Sequence, residues 1–140
     1  MKVLGLDLGN KTLGIALSDP SGKIAFSVET IRFQEGDLET AVRSVEDTIK
    51  NNAIETIVLG YPKNMDNSVG IQGHHSETFK AMLESIMSIP VILWDERLTT
   101  RSAQRVMTET KTKKKQKKAK VDQIAATFIL QSYLDSRKRD

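Results

Sequence analysis

The chain has 140 residues, of which 39% are hydrophobic and 28% are charged, and it contains no cysteine. This length and composition fit one compact domain and exclude disulfides and thiolate metal sites. No apolar run approaches the ~18 residues of a membrane span, and no signal-peptide layout is visible, so we expect a cytoplasmic protein without a membrane partner.

The net charge of +3 hides a strong asymmetry along the chain. Residues 111–120 read KTKKKQKKAK, and these seven lysines turn a body of net charge −4 into a chain of net charge +3. A run of like charges repels itself, which predicts a mobile segment at about 110–120. The run also favours a phosphate-bearing partner, contacted by Lys113, Lys114, Lys115, Lys117 and Lys118.

Three strands are predicted in the first part of the chain, over residues 2–9, 12–18 and 23–33. The first is apolar apart from its glycines and Asp7. The second ends at a turn that begins with Asp19-Pro20, and the third shows alternating polarity. Because the connections between them are short, we expect an antiparallel meander.

Helices alternate with buried strands in the rest of the chain. Apolar residues at helical spacing predict helices over about 38–49, 70–88 and 120–137. The threonines after Leu98 can cap a further helix over about 100–109. Short apolar runs predict strands over 56–61 and 91–94. Strands separated by helices pair in parallel. The sequence therefore predicts a single α/β domain over residues 1–140, with a mixed five-stranded sheet (three antiparallel plus two parallel strands) flanked by helices.

Asp7 lies inside the first apolar strand, where an ionised carboxylate is costly unless a cation, a metal or several donors compensate it. It could also act as a turn residue that binds the backbone after Gly9. The open space that Gly5 and Gly9 leave beside it favours a functional role.

Asp95 and Glu96 follow the fifth strand, and sites in open α/β sheets form beyond the carboxyl ends of strands. Asp7 also lies near the end of its strand, so these acids could meet. Alternatively, Asp95 caps the next helix and Glu96 pairs with Arg97.

Asp122 opens the last predicted helix, and the small residues Ala125 and Ala126 lie beside it on the helix surface. Small neighbours allow an acid to approach the sheet closely. An acid in the first turn also complements the helix dipole, so this position alone favours the structural interpretation.

Taken together, three acids from two strands and one helix could converge on one site. All-oxygen sites suit Mg²⁺ or Mn²⁺. Two such ions ~4 Å apart activate water and stabilise the leaving oxygen in phosphodiester cleavage.

His74 and His75 are adjacent on a predicted helix and therefore face different directions, which is typical of surface residues.

A phosphate-binding loop is the main rival interpretation. Gly5 to Thr12 read GLDLGNKT, one residue away from the pattern GxxxxGK[ST]. Asn10 stands where the second glycine is required, and residues 13–17 read as a strand, whereas this loop must open a helix. The rival is therefore disfavoured.

Four segments in order carry a family resemblance: VLGLDLGNKTLGIALSDP at 3–20, VLGYPKNMDNSVG at 58–70, DERLTT at 95–100 and KVDQIAATFILQSYL at 120–134. They resemble the YqgF (RuvX-like) family of the RNase H-like superfamily, which stands beside the Holliday junction resolvases. The resemblance covers essentially the whole chain. It implies an RNase H-like fold. It also implies a nuclease that acts on pre-16S ribosomal RNA and thereby takes part in ribosome biogenesis.

The resemblance also implies residue roles. By resemblance the catalytic metal ligands fall on Asp7, on Glu96 and on Asp122, with Asp95 as the open alternative to Glu96. Many family members carry arginine where this chain has Thr12, which puts one phosphate contact in doubt, although Lys11 is adjacent. Further nucleic-acid contacts are expected at Lys11, Asn64 and Arg97. For Asn64 and its neighbour Asn67, ordinary turn chemistry is the alternative.

The sequence thus predicts a metal-dependent endonuclease that acts on structured nucleic acid, with the 5′ end of pre-16S ribosomal RNA as the favoured substrate. One alternative is a DNA junction resolvase, which requires a dimer because two sites cut together. Another is a weakly catalytic nucleic-acid-binding factor in ribosome assembly. The residues alone do not choose between RNA and DNA. The resemblance favours RNA, a DNA junction stays open, and so does the choice between a monomer and a homodimer.

Overall fold

A computed structural model describes the backbone of residues 1–98 and 114–137, and the side chains of residues 1–98 and 125–137. The strands are β1 (Lys2–Leu8), β2 (Thr12–Ser18), β3 (Ala25–Arg32), β4 (Ile54–Tyr61) and β5 (Val91–Asp95). The helices are α1 (Leu38–Lys50), α2 (Ile71–Ile86) and α3 (Lys114–Arg137), with a 3₁₀ turn at Glu96–Leu98. The predicted helix over 100–109 lies outside the described residues.

The five strands form one mixed sheet in the order β3-β2-β1-β4-β5. The first three strands pair antiparallel, whereas β1, β4 and β5 pair in parallel. This confirms the predicted sheet. Parallel strands end at the same edge, so the carboxyl ends of β1, β4 and β5 lie side by side.

The sheet is covered on both faces, which explains why β1 is apolar along nearly its whole length. On one face, α1 and α2 pack over a buried cluster that includes Leu4, Leu6 and Leu8. On the other face, α3 packs over Val3 through a second cluster: Ala16, Ala25, Val58, Ala126, Ile129, Leu130 and Leu134. Since side chains alternate along a strand, Asp7 lies on the same face as Val3, below α3.

Helix α3 crosses β1 at Gly5, where any side chain would collide with it. A Cβ atom on Gly5 would lie 2.7 Å from Cβ of Leu130 and 3.2 Å from the carbonyl oxygen of Ala126. Position 122 is one helical turn before Ala126. The backbone of α3 therefore runs over β1 toward the end of the strand that carries Asp7.

Helix α3 begins at Lys114, six residues before the predicted start. Four of the predicted phosphate-binding lysines, Lys114, Lys115, Lys117 and Lys118, thus have helical backbone. Lys113 lies outside the described residues, as do the side chains of the other four. The mobility of this basic segment stays a prediction.

Helix α3 also reaches the open edge of the sheet at β3. Its Gln131 accepts a hydrogen bond from the backbone N–H of Ala25 at 2.9 Å, and its amide nitrogen donates to the carbonyl oxygen of Lys23 at 2.9 Å. Beside this contact, Phe26 and Val28 of β3 are 54% and 45% exposed. In the described ranges we find no helix with the length and hydropathy needed to span a membrane.

Candidate active site

Asp7 and Glu96 meet at the carboxyl edge of the parallel strands. Asp7 is the last residue but one of β1, and Glu96 follows β5 directly. Strand β4 lies between them, and its Gly60 has no side chain to separate them. A Cβ atom there would lie 2.5 Å from Oε1 of Glu96 and 2.7 Å from Cδ1 of Ile129. Gly60 therefore provides the space through which the Glu96 carboxylate reaches across β4.

Burial of Glu96 raises the pKa of its carboxyl to about 8, and the charge of Asp7 and a hydrogen bond with its side chain contribute in the same direction. The charge of Asp95 adds a smaller effect. Two carboxylates in contact resist simultaneous ionisation, so the pair holds a proton near neutral pH unless a cation replaces it. This arrangement, with oxygen donors alone, fits a hard divalent cation.

Asp95 is directed away from this pair and is bound by Arg97. Nε of Arg97 lies 3.0 Å from both carboxylate oxygens, and Nη2 lies 2.6 Å from Oδ2. The backbone N–H of Arg97 donates to Oδ1 at 3.0 Å. These hydrogen bonds hold the pKa of Asp95 below its usual value, so its carboxylate is ionised and occupied. Of the two neighbouring acids, Glu96 is the one that contacts Asp7.

The loop between β4 and α2, residues 62–69, borders the same edge and is tied to it by Arg97. Nη1 of Arg97 donates to the carbonyl oxygen of Asn64 at 3.2 Å, and Nη2 donates to Oδ1 of Asn67 at 3.0 Å. Asn67 has a φ of 74°, a left-handed conformation that asparagine tolerates better than most residues. The Asn64 side chain donates to Oγ of Ser68 at 2.9 Å. This is the turn chemistry that the sequence left open for both asparagines.

A series of polar contacts joins the end of β4 to α2. The hydroxyl of Tyr61 donates to Oε2 of Glu77 at 2.7 Å, and Oε1 of Glu77 lies 2.7 Å from Nδ1 of His74. The hydrogen bond with Glu77 raises the pKa of Tyr61. Lys63 places its ammonium 5.6 Å from the centroid of the Tyr61 ring. The His74 side chain is 65% exposed, in agreement with its predicted surface position.

The structure thus brings together two of the three predicted acids. Helix α3 carries residue 122, but the Asp122 side chain lies outside the described residues. Among the side chains that are described, no three acids or histidines cluster as a metal-binding group. Lys11 is exposed in the turn between β1 and β2, at the same edge as Asp7.

Two features of the site were missed by the sequence reasoning. One is Gly60, although a glycine inside an apolar strand signals close approach of another group. The other is the hydrogen bonding of Arg97, for which the local pattern Asp-Glu-Arg offered only an alternative pairing with Glu96.

Comparison with known proteins places this geometry in a family. The model of the RuvX family, described as Holliday junction resolvase, matches residues 1–136. A protein of Bacillus subtilis named "Putative pre-16S rRNA nuclease" is 46% identical over 136 residues, which cover 97% of this chain and 99% of that protein. A protein of the same name from Geobacillus is 46% identical over 138 residues, covering 99% of this chain and 100% of that protein.

Solved structures confirm the RNase H-like fold. RuvC of Thermus thermophilus in complex with Holliday junction substrate is similar, with a TM-score of 0.64 and 12% identity, and the match covers 98% of this chain and 96% of that one. The Fowlpox virus resolvase in complex with Holliday junction DNA has a TM-score of 0.54 and 18% identity, covering 98% of this chain and 99% of that one.

Proposed function

The chain belongs to the RuvX family, and on that premise we propose that it is a metal-dependent endonuclease that processes the 5′ end of pre-16S ribosomal RNA. Its activity is the hydrolysis of phosphodiester bonds. The observation that carries the proposal is the contact of Asp7 with Glu96 at the carboxyl edge of the sheet, where burial raises the pKa of Glu96. We further propose that it works in the cytoplasm, where the ribosomal precursor is processed.

In the proposed mechanism Asp7, Glu96 and Asp122 would hold Mg²⁺ or Mn²⁺. When bound, such an ion would supply Lewis-acid activation of a water and stabilise charge on the phosphate oxygens. The protein's own residues position the acids and shape the site. Asp7 and Glu96 hold a shared proton near neutral pH, which they would release to solvent where a cation binds, and Gly60 keeps the space that lets Glu96 reach Asp7. Helix α3 covers this edge of the sheet from the face on which Asp7 lies.

Nucleic acid is the proposed partner, and RNA is favoured. Lys11 is exposed at the site edge, where it can meet a phosphate. The proposed contacts on the basic segment are Lys113, Lys114, Lys115, Lys117 and Lys118. Asn64 and Arg97 are engaged within the protein by the hydrogen bonds described above. A direct contact from either side chain would require those hydrogen bonds to break.

Cleavage of a labelled pre-16S precursor tests this function. Wild type and Asp7→Asn are compared in Mg²⁺ and in Mn²⁺, with Glu84→Gln as a control because Glu84 lies on α2 in a surface ion pair with Lys80. We expect cleavage by wild type and by the control, and a loss of at least a hundredfold in Asp7→Asn. Equal rates for wild type and Asp7→Asn would contradict the assigned site.

A DNA junction resolvase is the second candidate, favoured by the description of the matching family. Its test is coordinated cutting of a four-way DNA junction by the same proteins. Because paired cuts need two active sites, the species that cuts must be a dimer. A strict monomer under assay conditions would exclude this candidate. RNA binding that survives in Asp7→Asn, with no cleavage by wild type, would instead favour a ribosome-assembly factor.

A further inference from the structure

Arg97 lies directly after the acid that contacts Asp7, and its side chain turns back toward the 62–69 loop. We propose that Arg97 is a positioning residue that fixes this loop to the end of β5, and that it does not bind a substrate phosphate. The inference rests on the proposed function for the part of its test that uses cleavage.

The donors of Arg97 are almost fully used inside the protein. A guanidinium has five N–H groups. Nε binds the Asp95 carboxylate, Nη1 binds the Asn64 carbonyl, and the two N–H groups of Nη2 serve Asp95 and Asn67. Within the part of the chain that the structure describes, one N–H is left. Arginine usually grips a phosphate through two parallel hydrogen bonds, and that geometry would require this network to break.

The network joins two segments that are distant in sequence. Asn64 and Asn67 lie 33 and 30 residues before Arg97. The Asn64 carbonyl also accepts the backbone N–H of Asn67 at 2.9 Å, and the N–H of Asn64 donates to the Ser68 carbonyl at 2.9 Å. Arg97 therefore binds the loop at the point where its internal turn closes.

A fixed loop also holds the start of helix α2 in place. The loop leads into α2, whose Gln72 side chain donates to the carbonyl oxygen of Leu8 at 2.8 Å, one residue after Asp7. The Gly73 backbone packs so tightly that a Cβ there would lie 2.9 Å from the Pro62 carbonyl oxygen. The loop thus connects the strand end at Arg97 to the strand end at Asp7. Loosening it displaces the boundary of the site without removing a charge from the acid pair.

A positioning residue and a phosphate ligand give different measurements. Loss of positioning speeds backbone exchange in the loop and lowers kcat, whereas substrate affinity and its salt dependence stay the same. Loss of a phosphate contact weakens binding and reduces the slope of log K against log salt by about 0.7 for single strands to 0.9 for duplex DNA. The loop stays ordered in that case.

Hydrogen exchange of the protein without nucleic acid is the first experiment. In Arg97→Gln, exchange of the Asn64, Asn67 and Ser68 amides should accelerate about tenfold, since hydrogen bonds to a charged group contribute on this scale. Arg97→Lys should not restore protection because it lacks the planar fork. Unchanged protection of these amides in Arg97→Gln would overturn the proposal.

Variants of Asn67 provide a matched pair for the same measurement. Asn67→Asp keeps an oxygen acceptor and should keep the loop protected. Asn67→Gly tolerates the positive φ but loses the side-chain acceptor for Arg97. The backbone amides of the loop should therefore exchange faster in this variant. The control Glu84→Gln, which removes a surface ion pair on α2, should match wild type. Equal protection in Asn67→Asp and Asn67→Gly would argue against a hydrogen-bond clamp.

Cleavage and binding form the second experiment. Arg97→Gln should lose at least tenfold in kcat with an unchanged KM and an unchanged salt slope for RNA binding in EDTA. A reduced salt slope with an ordered loop would identify Arg97 as a phosphate ligand and overturn the proposal. If wild type itself cleaves nothing, the proposed function fails, and the exchange experiment still decides the role of Arg97.

Discussion

Gly60 and Glu96 are so close that a single methyl group on Gly60 would lie 2.5 Å from the Glu96 carboxylate. The contact between the two acids therefore depends on a missing side chain in the strand that separates them. Glu96 belongs to the turn after β5 and Asp7 to β1, two strands that are not neighbours. Because Gly60 has no side chain, the two acids can approach each other across β4.

Replacement of Gly60 by alanine should damage both stability and activity. The new Cβ must displace Glu96 or Cδ1 of Ile129, and overpacking of this kind costs about 1–3 kcal/mol in the free energy of unfolding. Cleavage should fall at least tenfold because Glu96 shifts. Urea denaturation and precursor cleavage measure the two effects. Gly70→Ala is the control, since its Cβ would meet its nearest neighbour at 3.8 Å. Cleavage by Gly60→Ala at the wild-type rate would contradict this role of Gly60.

The metal-free protein should lose stability as the pH rises. The folded state raises the pKa of Glu96 to about 8, from an ordinary value of 4.5, so between these values the folded state holds a proton that the unfolded state releases. Stability is then fully present below pH 4.5 and declines toward pH 8, by on the order of 3–4 kcal/mol between pH 5 and 8. Urea unfolding in EDTA at several pH values measures this slope.

Glu96→Gln is the control for the pH dependence, because glutamine cannot ionise. Its free energy of unfolding should fall less than that of wild type over the same pH range. Parallel curves for the two proteins would mean that the acid pair does not control the pH dependence.

Divalent ions should stabilise the protein through the same acids. At pH 8, an ion present at ten times its Kd adds about 1.4 kcal/mol to the free energy of unfolding. For a domain of this size that raises Tm by about 3–6 °C. Differential scanning calorimetry with Mg²⁺ or Mn²⁺ should show this shift in wild type and in Glu84→Gln. A shift of equal size in Asp7→Asn would place the bound ion elsewhere.

The lysines of the basic segment should set the salt dependence of RNA binding. Each phosphate contact that is lost reduces the slope of log K against log salt by about 0.7 for single-stranded RNA. Glutamine at Lys113, Lys114, Lys115, Lys117 and Lys118 should therefore flatten the slope. The control combines Lys50→Gln on α1 with Lys80→Gln on α2, because both residues are distant from the basic segment in sequence. An unchanged slope in the five-site variant would remove these lysines from the interface.

The mixed sheet and the approach of Asp7 to the acids that follow β5 could be predicted because they follow from local patterns. Apolar runs and helical spacing define the elements, and parallel strands bring their carboxyl ends to one edge. The choice between Asp95 and Glu96 could not be made from residue patterns. It depends on the direction of two adjacent side chains, and the hydrogen bonds of Arg97 to Asp95 determine that direction in the structure.

The attachment of the 62–69 loop to Arg97 could not be predicted from the sequence, for a related reason. Its partner Arg97 is distant along the chain, and their meeting depends on the register of β4 against β5, in which Tyr61 pairs with Asp95. The residues of a turn-rich segment do not indicate which register the neighbouring strands adopt. The start of α3 was predicted too late because the lysine run was interpreted by its charge, although lysine is a good helix former.

Gln131 has a consequence for how copies of the protein behave at high concentration. An exposed edge strand is a template on which another chain can pair and aggregate. The side-chain amide of Gln131 has the donor and acceptor of a peptide group, and it occupies Ala25 and Lys23 as a neighbouring strand would. An incoming strand would have to displace it before pairing beside the apolar Phe26. Helix α3 thus occupies the hydrogen-bonding groups at the start of β3 that an incoming strand would use, in addition to covering the face that carries Asp7.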